Sequence, residues 1–231
     1  MTAMMKTSRR LAIAIAFAAL AALYSAAADA ACKGIWAVGA TSLSGDGAGP
    51  ARAQAPDRRA RLEGVPGEDK LRFVGASGVA EPLQVYADQG RELVEPSQGL
   101  TEMLWAPDSR HVAVNASSGG VVGTWNLTVF EVRQRRPKRL PPYRALQAAA
   151  NRLPRCETPE IANLGVAAWL KGGAEMLVVA QAPPHSSCRN MGALHGYRVA
   201  TASGRILESL PYAALRKRWP RELGCNAQPM Q

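Results

Sequence analysis

Histidine is scarce in this 231-residue chain: His111, His185 and His195 are all there are. After Leu23 no further apolar run approaches the roughly 20 residues that a bilayer crossing needs. No Gly-x-Ser-x-Gly occurs, so the nucleophile elbow of a serine hydrolase has no support. Phosphate-cradling glycine loops are missing too, and Ser118-Gly119-Gly120 reads as a hairpin tip. These gaps remove the common routes to hydrolysis and nucleotide chemistry and leave charge, cysteines and repeats as the informative features.

The first thirty residues carry the three parts of a bacterial-type secretory signal peptide: basic Lys6, Arg9 and Arg10, an apolar run from Leu11 to Leu23, and small residues up to Ala31. Ala28-Asp29-Ala30 is the small-x-small pattern that a signal peptidase reads. Cleavage near Ala30 is expected, giving a periplasmic or secreted protein without a transmembrane anchor. Asp29 stands where lipid attachment requires an apolar residue, which argues against lipidation of Cys32. Ser8-Arg9-Arg10 matches part of a twin-arginine signal but lacks the aromatic that follows, so general secretion is expected.

Past the cleavage point the chain has 25 Lys and Arg against 17 Asp and Glu, a net of +8. Such a charge serves solubility or an anionic partner, an envelope polymer or an acidic envelope protein. The compartment argues against nucleic acid. Cys32, Cys156, Cys188 and Cys225 are an even number in an oxidising place, and two disulfides are expected. Three pairings are open. Cys156 with Cys188, flanking one unit, and Cys32 with Cys225, tying the ends, are preferred; the longer loop would be worth about 4 kcal/mol in the chain-entropy account.

A pattern of turn then apolar run recurs three times. Its best copy is WAPDSRHVAV, residues 105 to 114, where Pro107 fixes its φ and the Asp108 side chain is suited to bonding back to its own backbone before a strand from His111 to Val114. Ala55-Pro56-Asp57-Arg58-Arg59 leads likewise into Leu62, and Trp169-Leu170-Lys171-Gly172-Gly173 into Met176 to Val179. Each copy has a second half, an alternating strand and a turn: Leu83 to Tyr86 before Gly90 to Leu93, Leu127 to Phe130 before the basic run Arg133 to Arg139, and Tyr197 to Ala200 before Gly204 to Leu207. Units of three or four short strands at this interval read as propeller blades.

WAPDSRHVAV resembles the repeat of TolB-type β-propellers, in which a tryptophan or serine, a proline, an aspartate and a short strand recur in each blade. The resemblance implies fold and no activity. The chain has room for about three such units, too few for a closed ring of four or more. The expected fold is therefore mainly β: a partial propeller-like array of about three antiparallel units with one or two short helices, open at its edges or closed by oligomerisation. Helices are expected after Pro141-Pro142, in YRALQAAANRL, and in PYAALRKRW from Pro211 to Trp219. The expected divisions are 1–30 signal peptide, 31–54 linker-like and rich in Gly, Ser and Ala, and 55–231 a single β-rich domain.

Few side chains suggest chemistry. PPHSSCRNMGALH, residues 183 to 195, gathers His185, Cys188 and His195, but the spacings match no common zinc pattern, and a catalytic Cys188 would need a free thiolate. A loop stapled by Cys188, with Ser186 and Ser187 bonding locally, is the plainer reading. Trp105, Trp125 and Trp169 are expected to pack between sheets. Arg133, Arg135, Arg136, Lys138 and Arg139 form either a solvated tip or a docking patch for an anionic surface. No cofactor, metal or catalytic centre is expected. The function anticipated is an exported binding module; the alternative is a metal-binding protein or enzyme using the loop from His185 to His195.

Overall fold

The computed structural model describes residues 33–43, 51–65, 70–87, 92–94, 100–117, 123–133 and 136–228. The expected signal peptide, Cys32, Arg135 and the hairpin tip expected at Ser118-Gly119-Gly120 lie outside them. The fold is mainly β. After a two-residue strand, β1 (Thr41–Ser42), come β2 (Arg52–Gln54), β3 (Arg61–Gly64), β4 (Leu71–Val74) and β5 (Ala80–Leu83), then β6 (Val85–Ala87) and β7 (Glu92–Val94). The middle of the chain supplies β8 (Thr101–Trp105), β9 (His111–Ser117), β10 (Trp125–Arg133), β11 (Arg136–Arg139) and helix α1 (Arg144–Ala150). The last stretch supplies β12 (Asn163–Leu170), β13 (Glu175–Gln181), β14 (Leu194–Ala200), β15 (Ile206–Pro211) and helix α2 (Tyr212–Arg218).

Among the described residues three antiparallel sheets of four or five strands form, ordered β2-β3-β4-β5, β8-β9-β10-β11 with β1 added beside β8, and β12-β13-β14-β15. Each four-strand run pairs neighbours in sequence order, the outcome when every connection is a short turn. Strand alternation then decides what each face buries. In β9, Val112, Val114 and Ala116 pack with Leu62, Leu71 and Phe73 of the first sheet. Ala113, between them, packs with Leu164, Val166 and Val178 of the third. The second sheet is thus buried on both faces. Buried hydrophobic area of this kind is the main stabilising contribution, at about 25 cal/mol per Å².

The turns of the first and second sheets match, whereas the third sheet has a 3-10 turn, Lys171–Gly173, in their place. Ala55 N donates to Ala60 O at 2.9 Å, and its counterpart Ala106 N donates to His111 O at 2.8 Å. Inside each turn the aspartate closes back on the chain, with Arg59 N donating to Asp57 Oδ1 at 2.9 Å and Arg110 N to Asp108 Oδ1 at 2.7 Å. Arg58 and Ser109 hold the same positive φ, 61° and 58°. The tryptophans then join successive sheets: Trp105 Nε1 donates to Ala53 O at 2.8 Å, and Trp169 Nε1 to Leu104 O at 3.0 Å. Ala53 and Leu104 hold equivalent places, each two residues before an Ala-Pro-Asp turn. One side chain therefore makes the same contact twice.

Two expectations need correction. Leu83 to Tyr86 alternates like one strand, but the chain changes sheet at Gln84: Leu83 ends β5, while Val85 begins β6, which among the described residues pairs with β7 in a two-stranded sheet. The segment expected to be linker-like is partly built into the fold. Trp36 is 0% exposed, Thr41 and Ser42 pair with β8, and Arg52–Gln54 forms an outer strand of the first sheet. Composition suggested a loose segment; the partner that orders it is a distant carboxylate.

That carboxylate is Glu102, also 0% exposed. It accepts backbone N–H bonds from Ile35 at 2.7 Å, Trp36 at 3.0 Å and Ala37 at 3.3 Å, and one from Asn115 Nδ2 at 3.2 Å. Asn115 also grips the Val166 backbone, donating to its carbonyl at 3.0 Å and accepting from its N–H at 2.8 Å. Glu102 and Asn115 thereby link the N-terminal segment, the second sheet and the third. The C-terminal segment joins them, with Gly224 N donating to Trp36 O at 2.8 Å and Asn226 N to Ile35 O at 2.7 Å.

Both helices form where expected, each just after proline. Leu146 and Ala150 of α1 enter the apolar cluster between the second and third sheets, and Leu215 of α2 packs on the far face of the third, against Gly196. Tyr143, leading into α1, lies so close to the turn at Gly204 that a Cβ there would be 2.2 Å from its ring; Gly204 also holds a φ of 68°. Glycine alone meets both demands without strain.

Candidate binding surface

The basic run expected as a tip or patch is the end of β10 and the whole of β11, an edge strand. The register sets Arg133 opposite Arg136 and Lys138 opposite Glu131. Arg133 and Arg136 have side chains 70% and 82% exposed. Arg133 Nε lies 2.7 Å from Glu131 Oε1, and Arg136 Nε lies 3.8 Å from Glu81 Oε1. The hydrogen bond from Arg133 holds the Glu131 carboxyl below its usual range, against a smaller opposing effect of burial. Exposed pairs of this kind are worth little each, so the arginines stay available to other anions.

Leu140 N donates to Val129 O, so alternate positions of β11 face β10 and the intervening ones face away. Pro137, opposite Val132, falls on the outward set. Its missing N–H removes one donor from the free edge, and the charges beside it discourage a further strand. Arg139, at the end of the strand, lines a cleft with Asn126, Thr128, Leu140, Tyr143 and Gln147.

The second candidate region is held together by its sulfur. Cys156 and Cys188 form a disulfide, so Cys188 offers no thiolate to a metal or substrate. Ser186 Oγ donates to Pro183 O at 2.7 Å and accepts from Cys188 N, the local bonding expected of a stapled loop. Cys225 is also disulfide-bonded. The histidines have separate surroundings. His111 Nδ1 lies 2.8 Å from Asp108 Oδ2 at the turn before β9, His185 is exposed with a φ of 61°, and His195 Nε2 lies 2.8 Å from Ser209 Oγ on the neighbouring strand. Burial makes the His195 ring harder to protonate than usual. Among the described residues no group of three or more His, Cys, Asp or Glu is placed to hold a metal ion.

Trp125 is buried as expected; Trp105 and Trp169 are partly buried with both indole nitrogens bonded. The buried polar residues Glu102 and Asn115 were not legible beforehand. Glu102 stands in TEMLW, where a strand's alternation assigns a charge to the solvent side, and nothing local marks the backbone that it will cap. Asn115 and Asn126, which head Asn-x-Ser/Thr sequences, are buried and closed to a glycan. No helix among the described residues is long and apolar enough to cross a membrane. Comparison with family models, with curated proteins and with solved structures finds no match.

Proposed function

We propose that this is an exported, non-catalytic binding module whose exposed basic edge, Arg133 with Arg136 to Arg139, docks on an anionic polymer of the cell envelope. The scaffold we infer is a partial β-propeller of three TolB-type units working in the periplasm or beyond. The observation that carries the reading is the edge itself. Arginines face each other across the β10–β11 register, their side chains largely in water, on a chain of net +8 once the signal peptide is gone. Exposed charge of this density steers association with an anionic surface over about a Debye length, roughly 8 Å at physiological salt.

Retention of the mature protein on immobilised envelope polysaccharide tests the reading. Replacing Arg133, Arg135 and Arg136 by serine should weaken binding about tenfold, at roughly 0.5 kcal/mol per exposed charge, and a rising salt gradient should elute the triple variant from the anionic matrix before the parent protein. Equal retention of the triple variant removes the docking edge. Retention of an acidic envelope protein with no retention on polysaccharide makes the partner a protein instead.

A further inference from the structure

At the end of α1, the residues that follow this helix and the strands β14 and β15 border an open cleft of about 350 Å³. That is the small end of the range for ligand pockets. Its walls are part apolar and part polar. Ala149 and Leu153 come from the helical side, and Tyr197 and Ile206 from the sheet, all at the margin of the cluster between the second and third sheets. Its polar side chains are those of Arg152, His195 and Ser209, with the Tyr197 phenol. None of its lining residues is acidic.

The ring centroids of His195 and Tyr197 are 5.0 Å apart, and His195 Nε2 already engages Ser209 Oγ. Arg152 is exposed and has no carboxylate partner among the described residues. The wall that carries it is held from behind. Asn190 Nδ2 donates to Leu153 O at 2.9 Å, Arg155 N donates to Asn190 Oδ1 at 2.8 Å, and the Cys156–Cys188 disulfide ties the same two segments together. A wall fixed in advance loses little entropy when a ligand arrives.

We propose that this cleft binds a small aromatic carboxylate, whose anionic group meets Arg152 and the His195–Ser209 pair while its ring lies on Tyr197, Leu153 and Ile206. A guanidinium is the side chain best matched to a carboxylate, which it grips with two parallel N–H bonds. The paired imidazole and hydroxyl leave one further donor, and the partly exposed His195 ring offers a face for stacking. A cationic ligand would find no opposite charge here. This assigns to His195 a binding role that needs neither a metal nor a thiolate.

The test titrates the mature protein with 2-naphthoate and with 2-naphthamide, its neutral analogue, following ligand fluorescence. Naphthoate should bind saturably and about tenfold tighter than naphthamide; Arg152→Gln should abolish most of that preference, and Arg133→Gln should leave it intact. In the unaltered protein, naphthoate but not naphthamide should shield Arg152 from a guanidine-modifying dicarbonyl, a readout that does not depend on any variant folding. Equal binding of the two ligands, an unchanged preference in Arg152→Gln, an equal loss in Arg133→Gln, or no shielding of Arg152 overturns the proposal.

Discussion

The third sheet turns Leu177, Val179 and Leu194 outward beneath a cover of Trp36, Leu215 and Leu223, whereas the first sheet turns outward Arg52, Arg61 and Arg72 gathered on Glu63. Strand alternation produced an outward face in both. What differs is the partner. The third sheet receives an apolar cover made by helix α2 and the two terminal segments, which bond to each other through Trp36 and Gly224. The first sheet neutralises its face in place, with Arg52, Glu63 and Arg72 in one cross-strand row. An apolar cover contributes stability in proportion to the area it takes from water, while charges on a half-exposed face contribute little. The capped face should therefore be the sensitive one.

The largest expected effect follows from removing the cover. Trp36→Ala should destabilise the fold by about 3–5 kcal/mol, the range for a fully buried tryptophan, whereas Arg52→Ala, at a side chain 62% exposed, should stay within about 0.5 kcal/mol. Urea midpoints of the two variants measure the difference; similar shifts would mean that the two faces are not finished differently.

A smaller effect is expected from the floor beneath Trp36. A Cβ on Gly165 would lie 2.1 Å from the Trp36 ring, so the indole sits where only glycine leaves room. Gly165→Ala should cost about 1–3 kcal/mol by overpacking. Combined with Trp36→Ala it should cost almost nothing further, because the clash has gone; full additivity in a double-mutant cycle would contradict this contact.

The smallest effect, and the one that sharpens the contrast, is in pH dependence. Glu63 is held low first by its hydrogen bond from Arg61 and then by the charges of Arg61, Arg52 and Arg72, against burial. It contributes stability that is fully present above its unfolded-state pKa and is lost as pH falls through the lowered folded value. Burial pushes Glu102 up, outweighing the N–H bonds of Ile35 and Trp36, the Asn115 amide and the Ala37 N–H. Its contribution is fully present below the unfolded-state pKa and is lost as pH rises through the raised folded value. Denaturation midpoints between about pH 3 and about pH 7 should lose their acid-side decline in Glu63→Gln and their decline on raising pH in Glu102→Gln. An unchanged slope in either variant would deny that carboxylate its role.

Features with local causes were the legible ones. Pro107-Asp108-Ser109 could be read as a turn because the Asp108 side chain bonds within three residues of itself, and the two helices because proline precedes each. The basic edge could be read as a charged strand end, although its pairing with β10 could not. The cleft beside His195 was half visible. The histidine drew notice through its nearness to Cys188, but Arg152 stands 43 residues earlier and Ser209 reaches it only across a strand pair. Leu83 to Tyr86 misled because alternation looks the same whether one strand continues or two meet at a change of sheet.

What the amino-acid order alone determined is what short-range chemistry enforces: two copies of an aspartate-closed turn, strands of period two, helices begun at prolines, and cysteines suited to bridging. The tertiary structure decided which faces those strands buried and what covered them. A buried carboxylate orders a glycine- and alanine-rich segment only when its strand brings it to that segment's free N–H groups, and a cross-strand face becomes a core or a charged surface according to what packs on it. Those outcomes depend on groups more than 60 residues apart, as Glu102 and Trp36 are, and the folded chain alone brings them within hydrogen-bonding reach.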